Sequence, residues 1–140
     1  MAQGRRPGLS APPAQRVELT VLLDSVILID HLNAVPEATS YLKEIRGEGW
    51  ISVITRAEVL CGFDAATADA ALRLLDRFPI LPIERDAADL AASLRRSHHW
   101  RLPDAFQAAL AQLHGLKLAT RNHRDFPPDR FSFVVVPYTL

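Results

Sequence analysis

Cysteine and lysine are nearly missing from this chain. A single cysteine, Cys61, among 140 residues excludes an intrachain disulfide or a cysteine zinc cluster. Beside Gly62, where a helix is expected to end, it reads as a buried, inert thiol. Only two lysines, Lys43 and Lys117, stand against 14 arginines, so clustered acids have few ammonium groups to neutralise them. No apolar run approaches the ~20 residues that span a bilayer. The opening MAQGRRPGLSAPPAQR has arginines but no apolar stretch behind them. That excludes a secretory signal and makes the reducing cytoplasm the expected compartment. Also absent are a Gly-rich phosphate loop, a paired-histidine zinc spacing around His31, His114 or His123, and any internal repeat.

What is present is an ordinary globular composition, 49% hydrophobic and 23% charged, and a length that suits one domain. Such a chain buries about two-thirds of its unfolded surface and needs no staples. The formal net charge is zero but unevenly spread. Residues 1–16 hold Arg5, Arg6 and Arg16 and no acid, which leaves 13 basic against 16 acidic side chains in the remainder. A slightly acidic body does not bind its partners by bulk positive charge. The same 16 residues are rich in Pro, Gly and Ala without periodicity, so they read as a disordered tail or as residues before the true start. The domain proper is expected over residues 17–140.

Along that domain, residues 17–23 become continuously apolar, as a buried strand does, and Asp24-Ser25 closes them. Residues 26–32 read as a short helix. Pro36 suits the first turn of a second helix running to about residue 46, with Gly47 and Gly49 ending it. A strand over 50–54 gives way to a helix that Thr55 opens and Gly62 stops. Helical spacing over 65–78, a short strand over 79–83 and a helix over 86–98 follow. Pro103 starts a helix whose Phe106, Ala109, Leu110 and Leu113 form one apolar stripe and which Gly115 ends. Strands over 116–120 and 131–136 complete the chain, with a polar loop at 121–130 between them. Strands separated by helices imply parallel crossovers, hence a three-layer α/β sandwich on a mostly parallel sheet of about five strands.

Four acids, Asp24, Glu58, Asp104 and Asp125, sit where the chain leaves a strand or enters a helix. Each has a local structural explanation. Asp24 could N-cap the following helix. Thr55-Arg56-Ala57-Glu58 has the spacing of a capping box, with the glutamate reaching back to the N–H of Thr55. Asp104 suits a helix dipole and Asp125 a polar turn. Capping does not explain why all four converge on the carboxyl edge of a parallel sheet, where ligands bind. Carboxylates gathered there repel one another unless a cation or proton intervenes. Oxygen ligands select hard ions such as Mg²⁺ or Mn²⁺, and those ions promote phosphate-ester hydrolysis.

The strings LLDSVILIDHL, ISVITRAEVLCG, RLPDAFQAALA and LATRNHRDF, in that order around the four acids, resemble a PIN domain. They are most similar to the VapC-type toxin ribonucleases of bacterial toxin–antitoxin pairs. The resemblance covers about residues 19–140. It implies an Mg²⁺- or Mn²⁺-dependent endoribonuclease that acts on RNA, forms a homodimer and is inhibited by a small cognate antitoxin docked on its active site. Position by position it makes Asp24, Glu58, Asp104 and Asp125 the acidic quartet, with Thr120 and Asn122 as the polar residues ahead of the last acid. Phe106 departs from the aliphatic residue more usual in that motif; it thickens the core stripe and puts nothing catalytic in doubt.

Other polar residues have two readings. Arg121 and Arg124 could hold RNA phosphates or join ion pairs. The basic run Arg95, Arg96, His98 and His99 is a solvated face or a further RNA contact. Trp50 and Trp100 read as core rather than as stacking platforms, and Asp30 as a surface residue nearly opposite Asp24 on its helix. Competing functions are thinly supported. A haloacid-type phosphatase requires a second aspartate two residues after the first, where Val26 stands. A receiver domain requires an acidic pair after the first strand and a lysine after the last. A housekeeping PIN ribonuclease and a non-catalytic PIN-like binding module remain the alternatives.

Overall fold

The computed structural model describes residues 20–140; the expected tail at 1–16 and the first residues of the expected opening strand lie outside them. Strand β1 (Val21–Leu23) is buried along its whole length, as a strand covered on both faces must be. It leads through Asp24 into α1 (Ser25–Leu32) and then α2 (Pro36–Ile45), which has its proline in the first turn as expected. A single 3₁₀ turn (Arg46–Glu48) precedes β2 (Gly49–Ser52). Gly49 fits closely there among three side chains. A Cβ would lie 3.1 Å from the Ile45 and Leu23 Cδ1 atoms and 3.2 Å from Phe78.

Helices α3 (Val53–Cys61) and α4 (Ala68–Leu75), strand β3 (Ile80–Leu81), helices α5 (Arg85–His98) and α6 (Leu102–His114), and strands β4 (Lys117–Ala119) and β5 (Val134–Val135) complete the order. All five strands pair in parallel, in the order β3-β2-β1-β4-β5. The chain thus builds outward from β1 through β2 to β3, then returns to the other side of β1 with β4. The carboxyl ends of β1 and β4 flank the point where the winding reverses, the crevice where open α/β sheets bind ligands.

Alternation along β1 divides the core in two. Leu22 packs with Trp100, Ala105, Ala108, Leu110, Leu118 and Phe126 beneath α5 and α6. Val21 and Leu23 pack on the opposite face with Ile27, Leu28, Val59 and Leu75. Two-residue periodicity of the strand dictates this division, and it makes the three layers the sequence predicts.

Several local expectations need correction. Strand β3 is two residues rather than five, because Pro79 and Pro82 bracket it and neither can donate to a ladder. Strand β5 is equally short, held back by turn bonds from Phe131 N–H to the Pro127 carbonyl and from Val134 N–H to the Phe131 carbonyl. Helix α4 starts at Ala68 instead of residue 65, because the Asp64 carboxylate accepts from the N–H groups of Ala66 and Thr67 and holds a turn there. In α6 the expected stripe is only part of the buried surface. Ala105, Gln107, Ala108, Ala109, Leu110 and Ala111 are all buried, while Leu113 is 42% exposed. Cys61 is exposed at the end of α3 rather than buried. Asp30 is buried, 6% exposed, instead of lying on the surface.

Candidate active site

Asp24 is the first residue beyond β1. Its N–H donates to the Ala119 carbonyl, extending the β1–β4 pairing by one step. Its carboxylate both caps α1 and reaches across the crevice. Oδ1 accepts from the Ser25 N–H at 2.8 Å, and Oδ2 accepts from the Thr120 hydroxyl at 2.7 Å. Burial pushes its pKa up, against hydrogen bonds from Thr120, Ser25 and Gln107 and the charge of Arg121. The capping explanation for Asp24 is therefore correct but incomplete, since only one oxygen is used by the cap.

For Glu58 the capping explanation fails. The helix is capped by Ser52, whose Oγ accepts from the Thr55 N–H at 3.1 Å. Thr55 lies inside the helix and is fully buried. Glu58, one turn further on, makes no capping contact and lines the crevice. The displaced cap reveals a buried polar network that sequence reasoning missed. The Thr55 hydroxyl donates to the Leu23 carbonyl at 3.2 Å and accepts from Gln107 Nε2 at 2.7 Å. The Ser52 hydroxyl donates to Gln107 Oε1 at 2.8 Å. Leu23 precedes Asp24, Thr55 lies three residues before Glu58, and Gln107 lies three after Asp104, on the same helix face. One network thus ties together the three elements that present three of the four acids. The legible signal was Gln107 itself, an amide among alanines at helical spacing from an acid.

Asp104 enters from the first turn of α6. Burial and the neighbouring charges of Asp24, Glu58 and Asp125 push its pKa up to about 6, although Arg101 pulls the other way. Asp125 is the exposed member, on the loop after β4. Asn122 donates from Nδ2 to Asp125 Oδ2 at 3.0 Å, and Asn122 Oδ1 accepts the Asp125 N–H at 3.3 Å. Thr120 is buried and accepts the Asn122 N–H while donating to Asp24, so both expected supporting residues sit between acids. The loop is anchored by its neighbour Phe126, fully buried against Trp100 at 4.6 Å between ring centroids. Trp100 Nε1 donates to the Asp125 carbonyl. Burying a ring of that size contributes about 2–3 kcal/mol, and it explains why Trp100 serves the core rather than a base.

All four acids line one polar cleft of about 510 Å³, together with Asn122, Arg101, Arg121 and Arg124. The arginines correct the argument from scarce lysines, because cations do reach the cleft. Arg121, however, is committed to Asp30, donating from Nε at 2.8 Å and Nη2 at 3.0 Å, with the Tyr138 hydroxyl donating to the same carboxylate at 2.7 Å. Burial alone would raise the Asp30 pKa; these partners outweigh it and lower it. This ion pair, between two residues read separately from sequence, explains why Asp30 can be buried. That Asp104 remains raised despite Arg101 marks the cleft as net acidic where the carboxylates meet.

Among the described residues no three carboxylates or imidazoles already stand close enough together to enclose an ion. The all-oxygen donor set and its uncompensated charge still suit a hard cation that keeps much of its water and takes one or two carboxylates directly, as Mg²⁺ does.

Comparison with known proteins agrees with this geometry. The PIN domain family model matches residues 21–127. Ribonuclease VapC10 of Mycobacterium tuberculosis is 39% identical, over 76% of this chain and 86% of the relative. Among solved structures, a toxin–antitoxin complex from Klebsiella pneumoniae superposes with a TM-score of 0.77 at 37% identity, covering 86% of this chain and all of the other. FitAcB from Neisseria gonorrhoeae gives a TM-score of 0.68 at 25% identity, over 84% and 98% of the two chains.

Proposed function

This chain belongs to the PIN-domain family, and on that premise we propose that it is the toxin of a toxin–antitoxin pair, a divalent-metal-dependent endoribonuclease held inactive by a cognate antitoxin. The observation that carries this reading is the convergence of Asp24, Glu58, Asp104 and Asp125 on one cleft at the reversal point of the sheet. The toxin role is favoured over a housekeeping nuclease because the similar solved structures include a toxin–antitoxin complex. A homodimer working in the cytoplasm on RNA completes the proposal. No helix among the described residues is long and apolar enough to cross a membrane. Residues 17–140 form the nuclease unit in this reading, and residues 1–16 add nothing to it.

The four carboxylates would hold Mg²⁺ or Mn²⁺. When bound, such an ion supplies polarisation of a phosphoryl oxygen and a more acidic water. The chain's own groups do the positioning. Thr120 and the Ser25 N–H fix the two oxygens of Asp24. Asn122 fixes Asp125 from both sides of its hydrogen-bonding capacity. Asp104, raised to about 6, holds a proton at mildly acidic pH and would have to release it to solvent before it could ligate a cation. Arg124, exposed beside Asp125, is placed to meet a phosphate, whereas Arg121 reaches the cleft with part of its fork already occupied. Asp24→Asn keeps one oxygen to accept the Ser25 N–H of the cap and removes the charge.

Brief induction in cells, followed by sequencing of RNA ends, tests the proposal. Wild-type protein should create new ends at a restricted set of sites and arrest growth, and co-expression of the neighbouring antitoxin frame should prevent both. Asp24→Asn should create none. An RNA-end profile unchanged on induction of soluble wild-type protein counts against the ribonuclease reading.

A further inference from the structure

The acidic cleft does not end at Asp125. A second hollow of about 560 Å³ shares Arg101, Arg124 and Asp125 with it and continues over the end of α5 toward the 127–131 loop. Asp125 is the single carboxylate among the residues that line this hollow, against Arg101, Arg124 and Arg130, with His98 and His99 beside them. The chain as a whole is neutral, so this is a local concentration of cations beginning where the acids stop. Among the described residues none of these three arginines has an ion-pair partner. Arg121, by contrast, is paired with Asp30.

The aromatic residues of the hollow make it a built surface. Arg130 is held with its guanidinium carbon 5.3 Å from the centre of the Phe131 ring. His98 stacks on Trp100 at 4.4 Å and meets Phe131 edge-on at 5.2 Å. The turn between α5 and α6 is braced by Arg95, which donates to the Trp100 carbonyl. His99 ends α5 in the left-handed region, with φ of 60°. Glycine holds that conformation most easily. That conformation turns an exposed imidazole onto the wall of the hollow.

We propose that this hollow is a binding site for the phosphodiester backbone of single-stranded RNA next to the cleaved bond, with Arg130 and His99 as phosphate contacts beyond the cleft. The inference rests on the ribonuclease reading above. A polyanionic strand whose reacting phosphate lies among the four acids must continue past the cleft mouth, and the exit through Arg101 and Arg124 is lined by arginines without an ion-pair partner among the described residues. Arginine forks suit phosphate oxygens, and each phosphate neutralised on a single strand steepens the salt dependence of binding by about 0.7 in log–log slope. An acidic peptide segment of a protein partner would meet the same charges, but it has no reason to continue into a net acidic cleft.

The test compares the wild-type chain, Arg130→Gln combined with His99→Asn, and Arg73→Gln. Asparagine tolerates the left-handed position at residue 99. Arg73 lies on α4, over the other sheet face. Binding of a labelled 16-nucleotide single-stranded RNA with 2′-O-methyl sugars is followed by anisotropy across a salt series, and cleavage of unmodified RNA is followed on the 16-mer and on a trinucleotide. The expected result is roughly tenfold weaker 16-mer binding by the double variant, with a salt slope smaller by about one contact or more. Trinucleotide cleavage should be unchanged, and Arg73→Gln should behave as wild type. Equal affinity and slope in the double variant and wild type overturn the site while leaving the ribonuclease reading intact, provided wild type cuts both substrates. Equal RNA binding with weakened capture of a poly-glutamate peptide overturns it in favour of a protein partner. Wild-type protein that cuts neither substrate overturns the ribonuclease reading and this inference with it.

Discussion

Replacing Asp104 by asparagine separates charge from shape at the centre of the acidic cluster. In the folded chain the Asp104 carboxyl has a pKa of about 6, against an ordinary 3.8, because of burial and the charges of Asp24, Glu58 and Asp125. The folded state therefore binds this proton more tightly than the unfolded chain does. Stability is highest with the proton on and is lost as pH rises from about 4 through about 6, with the full penalty present at neutral pH. The gap between the two values sets a ceiling of about 3 kcal/mol. Asp104 is only partly buried, and solvent screening brings that to about 1–2 kcal/mol. Asparagine removes the penalty but also loses the favourable charge at the helix N-terminus, about 0.3–1 kcal/mol. With chelator present, the variant should thus be more stable than wild type by about 1 kcal/mol above pH 7, which raises the melting temperature by roughly 2–6 °C. Near pH 4 the advantage should vanish. Adding Mg²⁺ should stabilise wild type by mass action and reverse the order. Melting curves at pH 4, 5, 6 and 7.5, with chelator and with Mg²⁺, read all of this directly. Parallel pH profiles for the two proteins in chelator would refute the claim that Asp104 stands in an uncompensated acidic field.

Glu58→Gln should leave stability within about 0.5 kcal/mol, because this residue caps nothing, yet cut RNA cleavage severely; normal cleavage at limiting Mg²⁺ would remove Glu58 from the site. Gln107→Ala removes one buried partner from each of the Ser52 and Thr55 hydroxyls, which keep the Thr55 N–H and the Leu23 carbonyl, and should cost about 1–2 kcal/mol by denaturant titration, with cleavage falling more than the stability loss explains. Asp30→Ala should cost about 2–3 kcal/mol, since Arg121 and Tyr138 both lose their acceptor; a neutral outcome would show that water replaces the pair. Removing residues 1–16 should change neither melting temperature nor cleavage, and a truncated chain that loses either would give that segment a role.

What the sequence made legible and what it hid divide along physical lines. The parallel sandwich and the gathering of the four acids followed from the order of apolar runs and from the rule that parallel strands share a carboxyl edge. Strand lengths did not, because a continuous apolar run says nothing about where prolines or turn bonds stop the ladder, as at Pro79, Pro82 and Phe131. The cap of α3 was misassigned because Thr55–Glu58 and Ser52–Thr55 both have polar pairs at three-residue spacing. Only the burial of Thr55 by Gln107, 52 residues away in the chain, decides between them. The Asp30–Arg121–Tyr138 cluster was hidden for the same reason. Each of its members looks like a surface residue alone, and only the return of the last segment beside α1 brings them together. Scarce lysine does not mean scarce cations, since Arg101, Arg121 and Arg124 all reach the cleft.

The most direct measurement is cleavage of unmodified single-stranded RNA by purified protein stripped with EDTA, then titrated with Mg²⁺ or Mn²⁺. Cleavage should be absent in chelator and recover on adding either ion, with no recovery for Asp24→Asn or Asp104→Asn at any ion concentration while both variants stay folded. Full cleavage by wild type in excess EDTA, or wild-type recovery by either variant, would contradict the metal-dependent reading of the site.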